Sequence, residues 1–303
     1  MIYTNNHNLP LPAFKAFTTN SYDKGDSDYS VTELNNSPRI AFLKKRHNDV
    51  LMSDAMDNLW SMRGTAMHNV MENAEVEGSI IEKRIYIDVL GKKVGAKPDY
   101  VWPFRVNSEG VTEYELLDWK DTSYYAIKDG PKDDWVKQLN VYSYGLRLAG
   151  VDIRSIRVMA IMRDWSRNDS KFKVGYPQSA VALLEIPQWQ DNTIIEMLEQ
   201  RVALFEDFKD VPDDELPACS REERWARDDV WAVVWSDGAT AGRAVPKGGK
   251  FATEAEAKAF MTNKGGKRGM RVEYRPGENI RCNDYCACSS VCNQYKSLHN
   301  DDF

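Results

Sequence analysis

No apolar run in this sequence is long enough to cross a bilayer. The longest, such as Val158 to Met162 and Trp231 to Trp235, fall far short of the ~20 residues that a spanning helix needs. The opening MIYTNNHNLP has neither the basic nor the apolar stretch of a secretory signal, so a cytosolic location is expected. A Walker-type glycine-rich loop is missing, and so is a Gly-x-Ser-x-Gly elbow, which excludes half of a helicase and a serine hydrolase. There is no internal repeat. Cysteine is scarce, five in all, and four of the five crowd between Cys282 and Cys292. In a reducing compartment, thiols so placed are more naturally metal ligands than disulfide halves.

What is present is 303 residues with 42% apolar and 11% aromatic content, enough for one large domain and a smaller one. The net charge of -6 runs against a nucleic-acid partner, because phosphate contacts call for clustered Lys and Arg. Its distribution softens the objection. Residues 243–281 hold ten Lys or Arg against four Glu, a local +6 that leaves -12 for the remainder. That segment is either a basic face for DNA or a set of solvated surface side chains.

Residues 1–29 are polar and rich in Asn and Asp, and SYDKGDSDYS reads as a mobile loop, so this stretch is expected to be flexible. From residue 30 to 210 the pattern tightens. Ser30 or Thr32 can cap a short helix, Ser37-Pro38-Arg39 opens another toward His47, and a third is expected from about Arg63 to Glu75. Lys83 to Leu90 alternates as a half-buried strand does, Gly91-Lys92-Lys93 turns the chain, and Val94 to Trp102 is the expected hairpin partner. Glu113 to Trp119 is a third strand, Lys132 to Leu148 a helix, Ile156 to Arg163 a fourth strand and Ile186 to Phe208 a long helix. Residues 211–303 form a basic α+β segment, with a strand at WAVVW, a helix opened by Thr253 with Glu256 in a capping box, a strand at Met270 to Tyr274, and the cysteine-rich tail.

The chemistry concentrates in Lys97-Pro98-Asp99 and, nineteen residues after Asp99, Asp118-Trp119-Lys120. Residues two apart on a strand share a face, so Asp118 and Lys120 point the same way, and a hairpin partner can bring Asp99 alongside. Two adjoining carboxylates repel unless a cation lies between them, and such oxygen-rich sites suit Mg or Mn. A lysine at the same spot can hold or deprotonate an attacking water and offset charge building on a phosphate. Alone, Asp-x-Lys is more often an exposed cross-strand salt bridge. Here Asp118 ends Tyr114-Glu115-Leu116-Leu117, a stretch apolar enough for a buried strand, where charge without a purpose is costly. His68 lies on the helix before the hairpin, and Gln138 and Tyr142 sit four apart on one face of the helix after it. Taken singly, His68 reads as a satisfied helix histidine and Tyr142 as a core residue. Arg163-Asp164-Trp165-Ser166 either contacts a strand end or makes a turn.

The order Gly-x-x-x-His, Pro-Asp, Asp-x-Lys, Gln-x-x-x-Tyr resembles the RecB-like branch of the PD-(D/E)XK nucleases, and the length and layout are similar to exonuclease-type proteins of tailed phages. The resemblance covers roughly residues 30–210. It implies an α/β fold with a restriction-endonuclease-like core, a mixed central sheet flanked by helices, and a small C-terminal α+β cysteine-containing segment. It implies Mg or Mn held by His68, Asp99, Asp118 and the Trp119 carbonyl, with Lys120 acting on water. Gln138 and Tyr142 would steady the site or the strand, and Glu82 would be an outer-shell acid. The implied activity is hydrolysis of DNA, as an exonuclease in phage-type recombination or processing inside the host cytoplasm, beside a recombinase or single-strand-binding partner. A structure-specific or CRISPR-adaptation-like endonuclease shares every one of these residues. A DNA-binding subunit with a vestigial fold is the non-enzymatic alternative.

The tail, Cys282-x3-Cys286-x-Cys288-x3-Cys292, admits either a zinc site or an iron-sulfur cluster, and the paired Cys-x2-Cys knuckles usual for zinc are missing. Nucleases of the AddB and CRISPR-adaptation type close a four-iron cluster with three C-terminal cysteines and one distant cysteine. The spacing of Cys282, Cys286 and Cys292 is similar to that. Their distant cysteine precedes an N-terminal proline, where this chain has Ser37-Pro38, so the resemblance leaves Cys219 as the fourth ligand and Cys288 as a spare or substitute.

Overall fold

The computed structural model describes residues 1–19, 23–236, 242–245, 249–263 and 269–299. The chain divides into two units, Met1–Leu216 and Pro217–Phe303. The division comes slightly later than the expected 210/211 because residues 213–216 are tied back to the first unit: Asp213 pairs with Arg46 and His47, and the buried Arg39 donates to the Leu216 carbonyl.

The first unit is mixed α/β. In chain order it runs β1 (Ile2–Thr4), α1 (Leu11–Thr18), β2 (Tyr29–Ser30), α2 (Val31–Leu34), α3 (Pro38–Arg46), β3 (Met52–Asp54), α4 (Leu59–Glu72), β4 (Ile80–Ile81), β5 (Ile85–Val89), β6 (Lys92–Ala96), β7 (Tyr100–Val106), β8 (Thr112–Thr122), α5 (Tyr124–Ile127), α6 (Asp133–Leu148), β9 (Asp152–Met162), α7 (Arg167–Phe172), β10 (Val181–Glu185) and α8 (Asp191–Phe208). The N-terminal stretch expected to be flexible therefore carries a strand and a helix. β1 pairs in parallel with β3, and Asn58 donates to the Phe17 carbonyl at 2.9 Å, tying α1 to the start of α4. Residues 20–22, where the expected loop begins, lie outside the described residues.

The main sheet has the order β10-β9-β8-β7-β4, with β8 and β9 parallel and every other pair antiparallel. Parallel neighbours need a crossover, and α5 and α6 supply it. Ile156, Val158, Ala160 and Met162 alternate on β9 as period-2 spacing requires, and with Leu139 and Leu146 of α6 they form the core beneath the sheet. Val94 to Trp102 is not one strand. β6 pairs with β5 and β2 in a separate three-stranded sheet, whereas β7 belongs to the main sheet, and Lys97-Pro98-Asp99 is the crossing between them. Proline at the break has no N–H to give to a ladder. α6 packs against the smaller sheet at Gly145, where a Cβ would stand only 2.8 Å from Ile85 Cδ1.

The second unit contains β11 (Val230–Trp235), β12 (Lys250–Phe251), α9 (Glu254–Asn263), β13 (Met270–Arg275) and α10 (Asn293–His299), with a three-stranded antiparallel sheet in the order β12-β11-β13. Val233, Val245 and Ala257 centre its small core. The capping box forms: Glu256 N donates to Thr253 Oγ1, and Glu256 Oε2 accepts from Thr253 N. Of the ten basic residues in 243–281, Lys247, Lys264, Lys267 and Arg268 lie outside the described residues. Among the described residues no helix is long and apolar enough to cross a membrane.

Candidate active site

The site begins with a polar residue in an apolar row. Register sets Asp118 against Val158 and Lys120 against Ala160, so the Leu116, Asp118, Lys120 face of β8 continues the buried face of β9. Asp118 is 0% exposed, and neither the backbone nor a neutral side chain donates to its carboxylate oxygens. Lys120 Nζ stands 2.7 Å from Asp118 Oδ2 as countercharge. Burial opposes the Lys120 charge, but Asp118 and Asp99 outweigh it and hold the ammonium above its usual range. The contrast with Glu115, equally buried on the other face of β8, is informative. Glu115 accepts from Trp102 Nε1 at 3.0 Å, Ser155 Oγ at 2.8 Å and Arg157 Nη2 at 2.6 Å. One buried carboxylate is satisfied by three donors; the other has the Lys120 ammonium at Oδ2 and no donor at Oδ1, an arrangement that a cation would complete.

Asp99 sits at the crossing between the two sheets. Its Oδ2 accepts from the Trp119 amide at 3.2 Å and lies 3.4 Å from His68 Nδ1 on α4, while its carbonyl accepts from Glu82 N at 3.2 Å. Glu82 follows β4 with φ 51°, a left-handed backbone uncommon for a residue with a side chain, and its carboxylate pairs with Lys97. Ligand atoms of His68, Glu82 and Asp99 all lie within 4.8 Å of one another, the one such group of three among the described residues. Burial first, then the charge of Asp118, push the Asp99 carboxyl up to about 8. Burial likewise lowers His68 below the usual imidazole range, which leaves a ring nitrogen unprotonated and able to bind a cation.

Gln138 donates to the Tyr142 hydroxyl at 2.7 Å across one turn of α6. Tyr142 is buried, as a core residue would be, and still reaches the site: burial foremost, with Asp118 and Asp99 nearby, raises its phenol above the usual range. A cavity of about 1010 Å³ opens onto His68, Glu82, Asp99 and Tyr142, and Phe17 and Thr18 of α1 form part of its wall.

The structure places His68, Asp99, Asp118, Lys120 and Tyr142 near one another, in groups other than those expected. Glu82, expected outside the ligand set, stands inside the trio, and Asp118, expected within it, stands with Lys120. Trp119 contributes its amide, donated to Asp99. The contribution of α1 to the cavity was missed; the only signal was Leu11, Phe14 and Phe17 at helical spacing in a polar stretch. In Arg163-Asp164-Trp165-Ser166, Asp164 accepts from Tyr124 N, Trp165 donates to the Pro177 carbonyl and Ser166 caps α7.

In the second unit none of the five cysteines is joined in a disulfide. Burial, then the charges of Cys286, Cys219 and Cys292, raise Cys282 to about 11. A hydrogen bond from Cys288 is the main reason that Cys286 is lowered to about 6. Cys288 is thus buried against Cys286 rather than loose. Gln294 of α10 both accepts from Cys219 N at 2.8 Å and donates to Cys219 O at 3.0 Å, which ties the start of the unit to its end. Among the described residues no three sulfurs lie within 4.8 Å of one another.

No family model matches this chain, and no curated protein matches it. Among solved structures it is similar to the one described as "Crystal structure of SSO0001", with a TM-score of 0.40 and 16% identity over 64% of this chain and 82% of that one.

Proposed function

We propose that the chain is a Mg- or Mn-dependent deoxyribonuclease with a PD-(D/E)XK core of the RecB-like type. The observation that carries this reading is Asp118, a buried carboxylate paired with Lys120 through one oxygen and without a partner at the other, beside Asp99, His68 and Glu82. A carboxylate oxygen without a partner and an unprotonated imidazole suit a divalent cation, with Mn favoured over Mg wherever the nitrogen ligates. His68, Asp99 and Glu82 or Asp118 would hold it. A cation there supplies positive charge to the scissile phosphate and makes water easier to deprotonate. Lys120 orients the attacking water and meets the negative charge that develops on the phosphate oxygens. Gln138 fixes the Tyr142 hydroxyl, and Tyr142 fills the floor of the cavity against the strand.

Exonuclease action in phage-type recombination or processing is the preferred form, in a cytoplasm and beside a recombinase or single-strand-binding protein. A structure-specific endonuclease would use the same residues. Linear and covalently closed DNA, each with and without Mg, separate them. Loss of linear DNA alone supports the exonuclease, cutting of circles supports the endonuclease, and no hydrolysis with any divalent ion refutes the enzyme in favour of a DNA-binding subunit.

For the second unit we propose a four-iron-four-sulfur cluster on Cys219, Cys282, Cys286 and Cys292. A single zinc ion with ~2.3 Å bonds draws its thiolates to ~3.8 Å from one another, closer than any three sulfurs here, so a wider centre suits the spacing better. Protein purified without oxygen should carry iron and inorganic sulfide; zinc in their place would refute this.

A further inference from the structure

Trp60 opens α4, eight residues before His68, and remains 49% exposed although two arginines lie over its ring. The guanidinium carbon of Arg163 stands 4.3 Å from the ring centroid and that of Arg63 5.2 Å. Neither arginine reaches Trp60 by accident of a long side chain. Arg163 directly follows β9, and its amide donates to the Thr122 carbonyl at the end of β8, two residues beyond Lys120. Arg63 Nε pairs with Asp121 Oδ2 at 3.3 Å, directly after Lys120. An exposed indole and two cations are therefore fixed to the carboxyl ends of the two parallel strands, the end of such a sheet where ligands collect.

We propose that Trp60, flanked by Arg163 and Arg63, is a stacking seat for an unpaired base of the strand being cut. This rests on the nuclease reading given above. A half-open indole offers a π-face that any base can use, and guanidinium groups beside it meet the adjoining phosphates and stack in their own right. The rise of α4 puts Trp60 ~12 Å from His68 along the helix axis, about three nucleotides at stacked spacing. The seat would thus hold a strand a few nucleotides from the scissile bond and would favour single-stranded or frayed ends over a blunt duplex. The alternative is that Trp60 only props the two arginines as a surface cation–π contact.

The full-length protein is tested in EDTA, without cleavage, by fluorescence anisotropy with a fluorescein-labelled oligothymidylate. Trp60→Ala and Trp60→Leu should each weaken binding roughly tenfold and Trp60→Phe only about two- to threefold, while thermal unfolding stays near wild type because the side chain is half exposed. Arg163→Ala should weaken it several-fold. Wild-type affinity in Trp60→Ala, or Trp60→Leu binding as well as Trp60→Phe, overturns the seat. The nuclease reading stands or falls separately, on Mg-dependent cleavage by the wild type. A wild type that cleaves but does not hold the oligothymidylate sinks the stacking seat alone.

Discussion

Cation binding at the proposed site should expel a proton. With its carboxyl raised to about 8 by burial and by the charge of Asp118, Asp99 is mostly protonated at pH 7 in the cation-free protein. A divalent ion requires the carboxylate, so binding should release protons at that pH. His68 adds little, because burial has already lowered it and a neutral ring needs to lose nothing. Lys120 stays charged and contributes none. The sign follows directly. Below pH 8 the proton competes with the ion, so apparent affinity should rise from pH 6 to 7 and level off once the carboxyl has titrated. The same raised carboxyl means that the folded, cation-free protein holds a proton that the unfolded chain gives up above about pH 4. Its stability should therefore decline as pH climbs from about 4 toward 8, and added Mg or Mn should remove that slope. Calorimetric titration of Mg or Mn at pH 7, in buffers of different ionisation enthalpy, reads the proton count. A count near zero, or equal affinities at pH 6 and 7, would refute the argument.

Lys120→Ala should abolish cleavage while leaving DNA affinity nearly intact, since the lysine acts on water and developing charge, and it should lower stability because the buried Asp118 loses its countercharge; near-wild-type turnover by that variant would contradict the role. Asp118→Asn should weaken Mg or Mn binding as well as slow the reaction, and unchanged calorimetric affinity would remove Asp118 from the ion's surroundings. Glu115→Ala leaves Arg157 without its partner and should cost about 2–4 kcal/mol in urea unfolding, with cation affinity unchanged. Serine at Cys219, Cys282, Cys286 or Cys292 should lower both iron content and melting temperature. Serine at Cys288 should lower the melting temperature alone, because that thiol is buried against Cys286.

Much of this was legible from local pattern. The alternation of β9, the helical spacing of α6 and the box at Thr253 are short-range features, and the structure keeps each of them. Asp118 and Lys120 could be assigned to one face of a strand from their spacing alone. What escaped depends on distant partners. Glu115 looked like one more apolar-strand residue, because Trp102, Ser155 and Arg157 reach it only through register with β7 and β9. The three-residue strand β1 finds its partner some fifty positions away, in a stretch with no periodicity to betray it. Val94 to Trp102 reads as one strand by composition, and only the assembled sheets reveal that it belongs to two.

That crossing at Lys97-Pro98-Asp99 bears on how the chain can vary in length. β6 is locked into one sheet and β7 into the other, so the three residues between them have no slack. One residue more or fewer there would swing Asp99 out of reach of the Trp119 amide and His68, or shift a whole sheet by one position and turn its buried face outward. The turn joining β7 to β8 is the opposite case. Asn107 holds it through its own side chain, and Gly110 lies in open space with φ 80°, so extra residues there would loop outward and touch nothing. Two connections at the ends of the same strand thus face opposite constraints, and diverging copies of this chain should differ in length at 107–110 while keeping 97–99 fixed.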